Sequence, residues 1–145
     1  MTLANGEKLP LYTDPKVFAA SVHGDKLLCT DCHTTISTYP HPKSEIPSRR
    51  EYNVAQYELC KRCHFVNYTK TLDSIHYAML SSGDLRTPLC TDCHGAHNVT
   101  LPSQPRAKVS QTCSKCHQEL YGFYANSIHG KALIEENNYD VPVCT

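Results

Sequence analysis

The chain has 145 residues with nine cysteines, nine histidines, nine tyrosines and no tryptophan, and its 14 acidic and 14 basic side chains leave no net charge. Balanced charge gives no reason to expect a polyanionic partner such as a nucleic acid, and no apolar run reaches the length of a membrane-crossing helix. Val, Ile, Leu and Phe make up only about a fifth of the residues, near the level at which chains stop folding on aliphatic burial, so another material must supply the core.

In chain order, Leu3 to Leu9 sets Asn5-Gly6 between short flanks and predicts a small N-terminal β-hairpin with a type I′ turn. Asp14-Pro15 predicts a helix start. Two proline-containing stretches, Tyr39 to Ser48 and Leu101 to Arg106, read as surface loops. Within residues 65–80, Phe65, Tyr68, Leu72, Ile75 and Met79 recur at steps of three and four. Tyr121, Tyr124, Ile128 and Ala132 do the same within 121–132, and both segments predict amphipathic helices. No alternating strand pattern follows the hairpin. The expected fold is mainly α with little regular secondary structure, a single domain over 1–145 in which 1–17 is a lead-in and 18–145 carries repeats.

The repeats are the stronger signal. Ser21-Val22-His23 precedes Cys29 to His33, and Ser74-Ile75-His76 precedes Cys90 to His94; both of these A motifs read Cys-Thr-Asp-Cys-His. Between and after them lie B motifs, Cys60 to His64 and Cys113 to His117. A third A unit starts at Ser127-Ile128-His129 and reaches Cys144-Thr145, which predicts that the natural protein continues Asp-Cys-His. The order is A, B, A, B, A.

In a CxxCH motif two thiols, Cys29 and Cys32, Cys60 and Cys63, Cys90 and Cys93, or Cys113 and Cys116, add to the vinyl groups of a haem, and the adjacent His33, His64, His94 or His117 becomes its axial ligand. Disulfides, CxxC redox pairs and structural zinc also use CxxC, but none of them requires the following histidine. The cofactor expected is haem c at four complete sites, with Cys144 opening a fifth. Haem is attached to cysteine outside the cytoplasm, so the expected setting is periplasmic or extracellular. Residues 1–20 lack the regions of a signal peptide, and a leader or anchor upstream is therefore expected.

Five histidines lie outside the four motifs, His23, His41, His76, His97 and His129, one for each haem of a five-haem chain. Their number, and the recurrence of three in one context, predict bis-histidine coordination. His94 and His97 are too close in sequence to straddle one iron, so His97 should reach a neighbouring haem. If 65–80 is one continuous helix, His76 lies about 18 Å from His64 and cannot share its haem. The simplest consistent scheme pairs His23 with His33, His41 with His64, His76 with His94, His97 with His117, and His129 with the fifth site. Arg49, Arg50, Arg62, Arg86 and Arg106 are candidate partners for haem propionates, though solvated surface arginine fits any one of them. The tyrosines suit packing on porphyrin faces, and ordinary packing suits them equally.

With these motifs in place the chain resembles the multihaem cytochromes of the cytochrome c3 and doubled-CXXCH kind. The resemblance rests on the motifs at Cys29, Cys60, Cys90 and Cys113, the Ser-x-His elements, Tyr39-Pro40-His41-Pro42 and Cys93-His94-Gly95-Ala96-His97. It implies an electron carrier of anaerobic respiration with closely stacked low-spin haems. Its implied partners are redox proteins or neighbouring cytochrome subunits. Some relatives polymerise into conductive extracellular filaments, so a filament protomer is one alternative. A multihaem oxidoreductase acting on a small nitrogen or sulfur compound is another, and it would need one haem with an open position. The leading expectation is electron transfer without catalysis.

Overall fold

The computed structural model describes residues 1–36, 38–40, 45–101 and 105–144. Among these residues there are nine α-helices, one 3₁₀ turn and no strand longer than an isolated bridge, in agreement with the mainly helical expectation. The chain divides into two compact units, Met1–Val99 and Thr100–Thr145.

In the first unit the expected N-terminal hairpin is reduced to one antiparallel bridge, Thr2 to Lys8. A type I′ turn needs positive φ at both central residues. Gly6 has φ +87°, but among the described residues only Asn137 combines a side chain with positive φ, so Asn5 does not meet the requirement. The amides of Ala4 and Asn5 instead bond the carbonyls of Ile46 and Pro47 at 3.1 Å, which draws the turn onto another segment rather than onto its own flank.

Helix α1 (Pro15–Ala19) starts as expected, with Asp14 Oδ1 accepting from Lys16 N at 2.9 Å and proline at the first turn. Helix α2 (Cys29–Cys32) follows. Helix α3 (Arg49–Gln56) is capped by Ser48, whose Oγ accepts from Glu51 N at 3.0 Å and donates to Glu51 Oε2 at 2.7 Å. It runs into the 3₁₀ turn Tyr57–Arg62. Helices α4 (Phe65–Leu72) and α5 (Ile75–Ser81) come next, and α6 (Cys90–His94) closes the unit. Tyr57 and Tyr68 stack α4 on the 3₁₀ turn with ring centres 5.7 Å apart, and the Tyr68 hydroxyl donates to Glu58 at 2.6 Å.

The second unit holds α7 (Ala107–Cys113), α8 (Gln118–Asn126) and α9 (Ile128–Ile134). Its tail returns to these helices. Tyr124 Oη donates to Pro142 O at 2.9 Å, and Cys144 N donates at 3.1 Å to the Oγ of buried Ser110 on α7.

Both long helices expected from periodicity are broken, at Ser74 and at Ser127. Each serine begins a new helix: its Oγ accepts at 3.1 Å from the amide three residues on, Tyr77 N and Gly130 N. The apolar rhythm runs through the break and hides it. Inside, Leu3, Leu89 and Leu133 are the buried apolar side chains among the described residues.

Candidate haem-binding site

Each CxxCH motif is one turn of helix, and this is what brings its reactive atoms together. The histidine amide bonds back to the first cysteine carbonyl at 2.9 Å in His33–Cys29 and His64–Cys60 and at 3.0 Å in His117–Cys113. Residues three and four apart lie on one helical face, so the first cysteine, the second cysteine and the histidine share a side. Motif three is the helix α6 itself.

The two motif types make that turn differently. In the A motifs the aspartate of Cys-Thr-Asp-Cys reaches back over the helix start: Asp31 Oδ2 accepts from Leu28 N, and Asp92 Oδ2 from Leu89 N, both at 2.7 Å. The B motifs lack this acid and use the end of a preceding helical segment, the 3₁₀ turn for Cys60 and α7 for Cys113. A free-standing turn needs its own cap; a continued one does not.

The Ser-x-His elements are helix starts as well. Ser74 and Ser127 set His76 and His129 in the first turns of α5 and α9, while Ser21 Oγ accepts from His23 N at 3.2 Å in a turn. In two copies glycine follows the histidine, and backbone passes there too closely for a side chain. A Cβ on Gly24 would run into Phe18 O, and one on Gly130 would run into Tyr124 O. His41 lies outside the described residues.

Within the first unit the histidines meet in pairs. The His23 and His64 rings stand with centres 6.0 Å apart, and the His33 and His97 rings 5.9 Å apart. Two imidazoles bonded in line to one metal at about 2.0 Å, each ring centre roughly 1.1 Å behind its nitrogen, have centres about 6 Å apart. Each pair is thus spaced as two axial imidazoles of one haem would be. His33 Nδ1 lies 3.2 Å from the Tyr52 hydroxyl, and His97 Nδ1 lies 3.4 Å from Thr13 Oγ1. Contacts of this kind at Nδ1 are those that outer partners make to a metal-bound histidine, and they leave Nε2 as the remaining ring nitrogen. His33 titrates below the ordinary imidazole range because it is partly buried and faces His97, which keeps it in the neutral form a metal requires.

The expected pairing of His23 with His33 differs from this arrangement, since each ring has another partner here. Nothing in the sequence marks Tyr52 and Thr13 as histidine partners, because no spacing rule links positions so far apart.

No cysteine among the described residues is in a disulfide. Among the described residues no group of three or more His, Cys, Asp or Glu side chains is placed to hold a metal ion. Thiols of different motifs lie close together. Cys90 donates to Cys60, which holds Cys60 down to about 6 and, with burial, pushes Cys90 up. Burial and the neighbouring Cys60 raise Cys32. In the second unit, burial and nearby Cys144 raise Cys113.

Large apolar side chains beside the motif residues are exposed: Leu28 before Cys29, Phe65 and Val66 after His64, Ile75 before His76 and Ile128 before His129. A flat apolar macrocycle held by these cysteines and histidines is what such surfaces suit. The arginines expected at propionates are partly engaged elsewhere. Arg50 bonds Asp92 at 2.8 Å and the Thr87 carbonyl, Arg86 bonds Asp84 at 2.8 Å, and Arg62 donates to Asp31 O at 3.0 Å.

No helix among the described residues is long and apolar enough to cross a membrane. No curated protein and no solved structure matches the chain. The sequence model described as the doubled CXXCH motif does match, over residues 82–121, a stretch that holds the motifs at Cys90 and Cys113, and the match is consistent with a multihaem c-type cytochrome.

Proposed function

We propose that the chain transfers electrons through covalently bound, bis-histidine c-type haems, outside the cytoplasm. Haem c, once attached, supplies the one-electron couple. The chain's own residues do the rest. Cysteines at Cys29, Cys32, Cys60, Cys63, Cys90, Cys93, Cys113 and Cys116 anchor the group, and the motif histidines hold one axial position. His23, His76, His97 and His129, with His41, supply the other.

The observation that carries this reading is the pairing of imidazoles about 6 Å apart in His23–His64 and His33–His97. A site with nitrogen on both faces leaves no position for a substrate, so electron transfer rather than catalysis follows. Optical and EPR spectra of the haem-loaded protein, with and without carbon monoxide and nitrite, test it. Low-spin spectra unmoved by either ligand are expected. A high-spin signal that responds to them would instead establish an open haem and an enzymatic site.

A further inference from the structure

We infer that the ligands of the first two haems are crossed: His97 closes the haem carried by Cys29, Cys32 and His33, and His23 closes the haem carried by Cys60, Cys63 and His64. The inference rests on the electron-carrier reading and adds to it which histidine serves which haem.

Three observations of different kinds support it. The ring centres of each pair match the spacing of two imidazoles across one metal, and each pair contains one motif histidine and one histidine from outside the motifs. In the His33–His97 pair both Nδ1 atoms lie against hydroxyls, Tyr52 Oη at 3.2 Å and Thr13 Oγ1 at 3.4 Å, which leaves Nε2 as the remaining ring nitrogen of each. The backbone also joins the two contributors. Val22 N donates to Val99 O at 2.9 Å, which ties the segment carrying His23 to the segment carrying His97. The motifs they serve are tied in turn, because Arg62 of the second donates to Asp31 O of the first at 3.0 Å. The two motifs are thus joined to each other, and so are the two segments that carry the outer histidines.

The test uses the haem-loaded protein. His97→Ala and His23→Ala are each expected to keep their full haem mass and to convert one haem per chain to a high-spin, carbon-monoxide-binding form, reversed by added imidazole. Assignment comes from the background lacking the first haem, Cys29→Ser with Cys32→Ser. There, adding His97→Ala should create no new high-spin haem, whereas adding His23→Ala should still create one. The opposite pattern overturns the crossing.

Proton NMR of the unaltered protein decides the matter independently if that background fails to mature. Contacts from the His97 ring to the haem thioether-bonded at Cys29 and Cys32 support the inference; contacts to any other haem overturn it. A wild-type protein with open, high-spin haems would overturn the carrier reading itself, while fully low-spin haems with other histidine partners would overturn only the crossing.

Discussion

Tyr52 shows how much a single hydroxyl can matter. When the bare Nε2 of His33 is turned to a metal, its Nδ1–H donates to Tyr52, and a histidine that donates in this way is the more basic ligand and favours the oxidised iron. Tyr52→Phe removes the acceptor, and the potential of one haem is expected to rise. A neutral hydrogen bond contributes about 1 kcal/mol at most to such a difference, so the rise should be roughly 20–40 mV, read by spectroelectrochemical titration. Asp84 carries a pH prediction. The Arg86 side chain and amide hold its carboxyl at about 2, below the ordinary 3.8. A lowered carboxylate contributes stability that is present above about pH 4 and is lost as pH falls toward 2. Both groups are near solvent, so the effect is small. Asp84→Asn should flatten the acid limb of a thermal-stability profile in that window and leave it unchanged at neutral pH.

Among the elements, the short helices owe their boundaries to serine and aspartate rather than to apolar rhythm. The serines of Ser-Ile-His are visible in the sequence as repeats, and their physical meaning is helix capping, which the unbroken periodicity of 65–80 and 121–132 conceals. A continuous helix would carry His76 far from His64; the break at Ser74 removes the basis of that distance argument. The aspartates of the A motifs are legible in the same sense. An acid at the third helical position is a start signal, and it separates motifs that begin a helix from motifs that end one. The glycine after His23 and His129 has no such local signal, because close passage of backbone at Gly24 and Gly130 is a tertiary fact. Gly130→Ala forces a methyl group against Tyr124 O and Ala125 Cα, where neither neighbour is a flexible side-chain end. It is expected to destabilise the second unit by about 2–3 kcal/mol, measured by denaturant unfolding, with a shift in the spectrum of any haem ligated by His129. Ser127→Ala, which removes the cap and the hydroxyl's 2.6 Å bond to Tyr124 O, should cost about 1 kcal/mol.

At the scale of the whole molecule, the described residues include very little aliphatic interior, as the composition implies. Leu3, Leu89 and Leu133 alone cannot offset the entropy of ordering the chain, and apolar side chains beside the motifs stand exposed. The haem-loaded protein is therefore expected to melt cooperatively. A chain with every motif cysteine replaced by serine should show weak helical circular dichroism and no cooperative transition; a sharp melt of that variant would contradict the assignment of the core to haem. The helical class and the attachment residues are legible in the sequence because they are local, written in runs and spacings a few residues wide. The partners of the outer histidines are not, because they join positions such as 13 and 97, or 33 and 97, that only the folded backbone brings together.

The His33–His97 pair also bears on how such a chain is made. Secretion delivers the chain from its N-terminus, and under the crossed scheme the first attachment motif emerges long before the histidine that completes it. The first haem would wait half-ligated on a growing thread while later motifs arrive, and residue 97 would be the latch that ends its exposure. A chain terminated before Gly95 is accordingly expected to leave the haem at Cys29 and Cys32 high-spin and reactive toward carbon monoxide, with the second haem already sealed by His23.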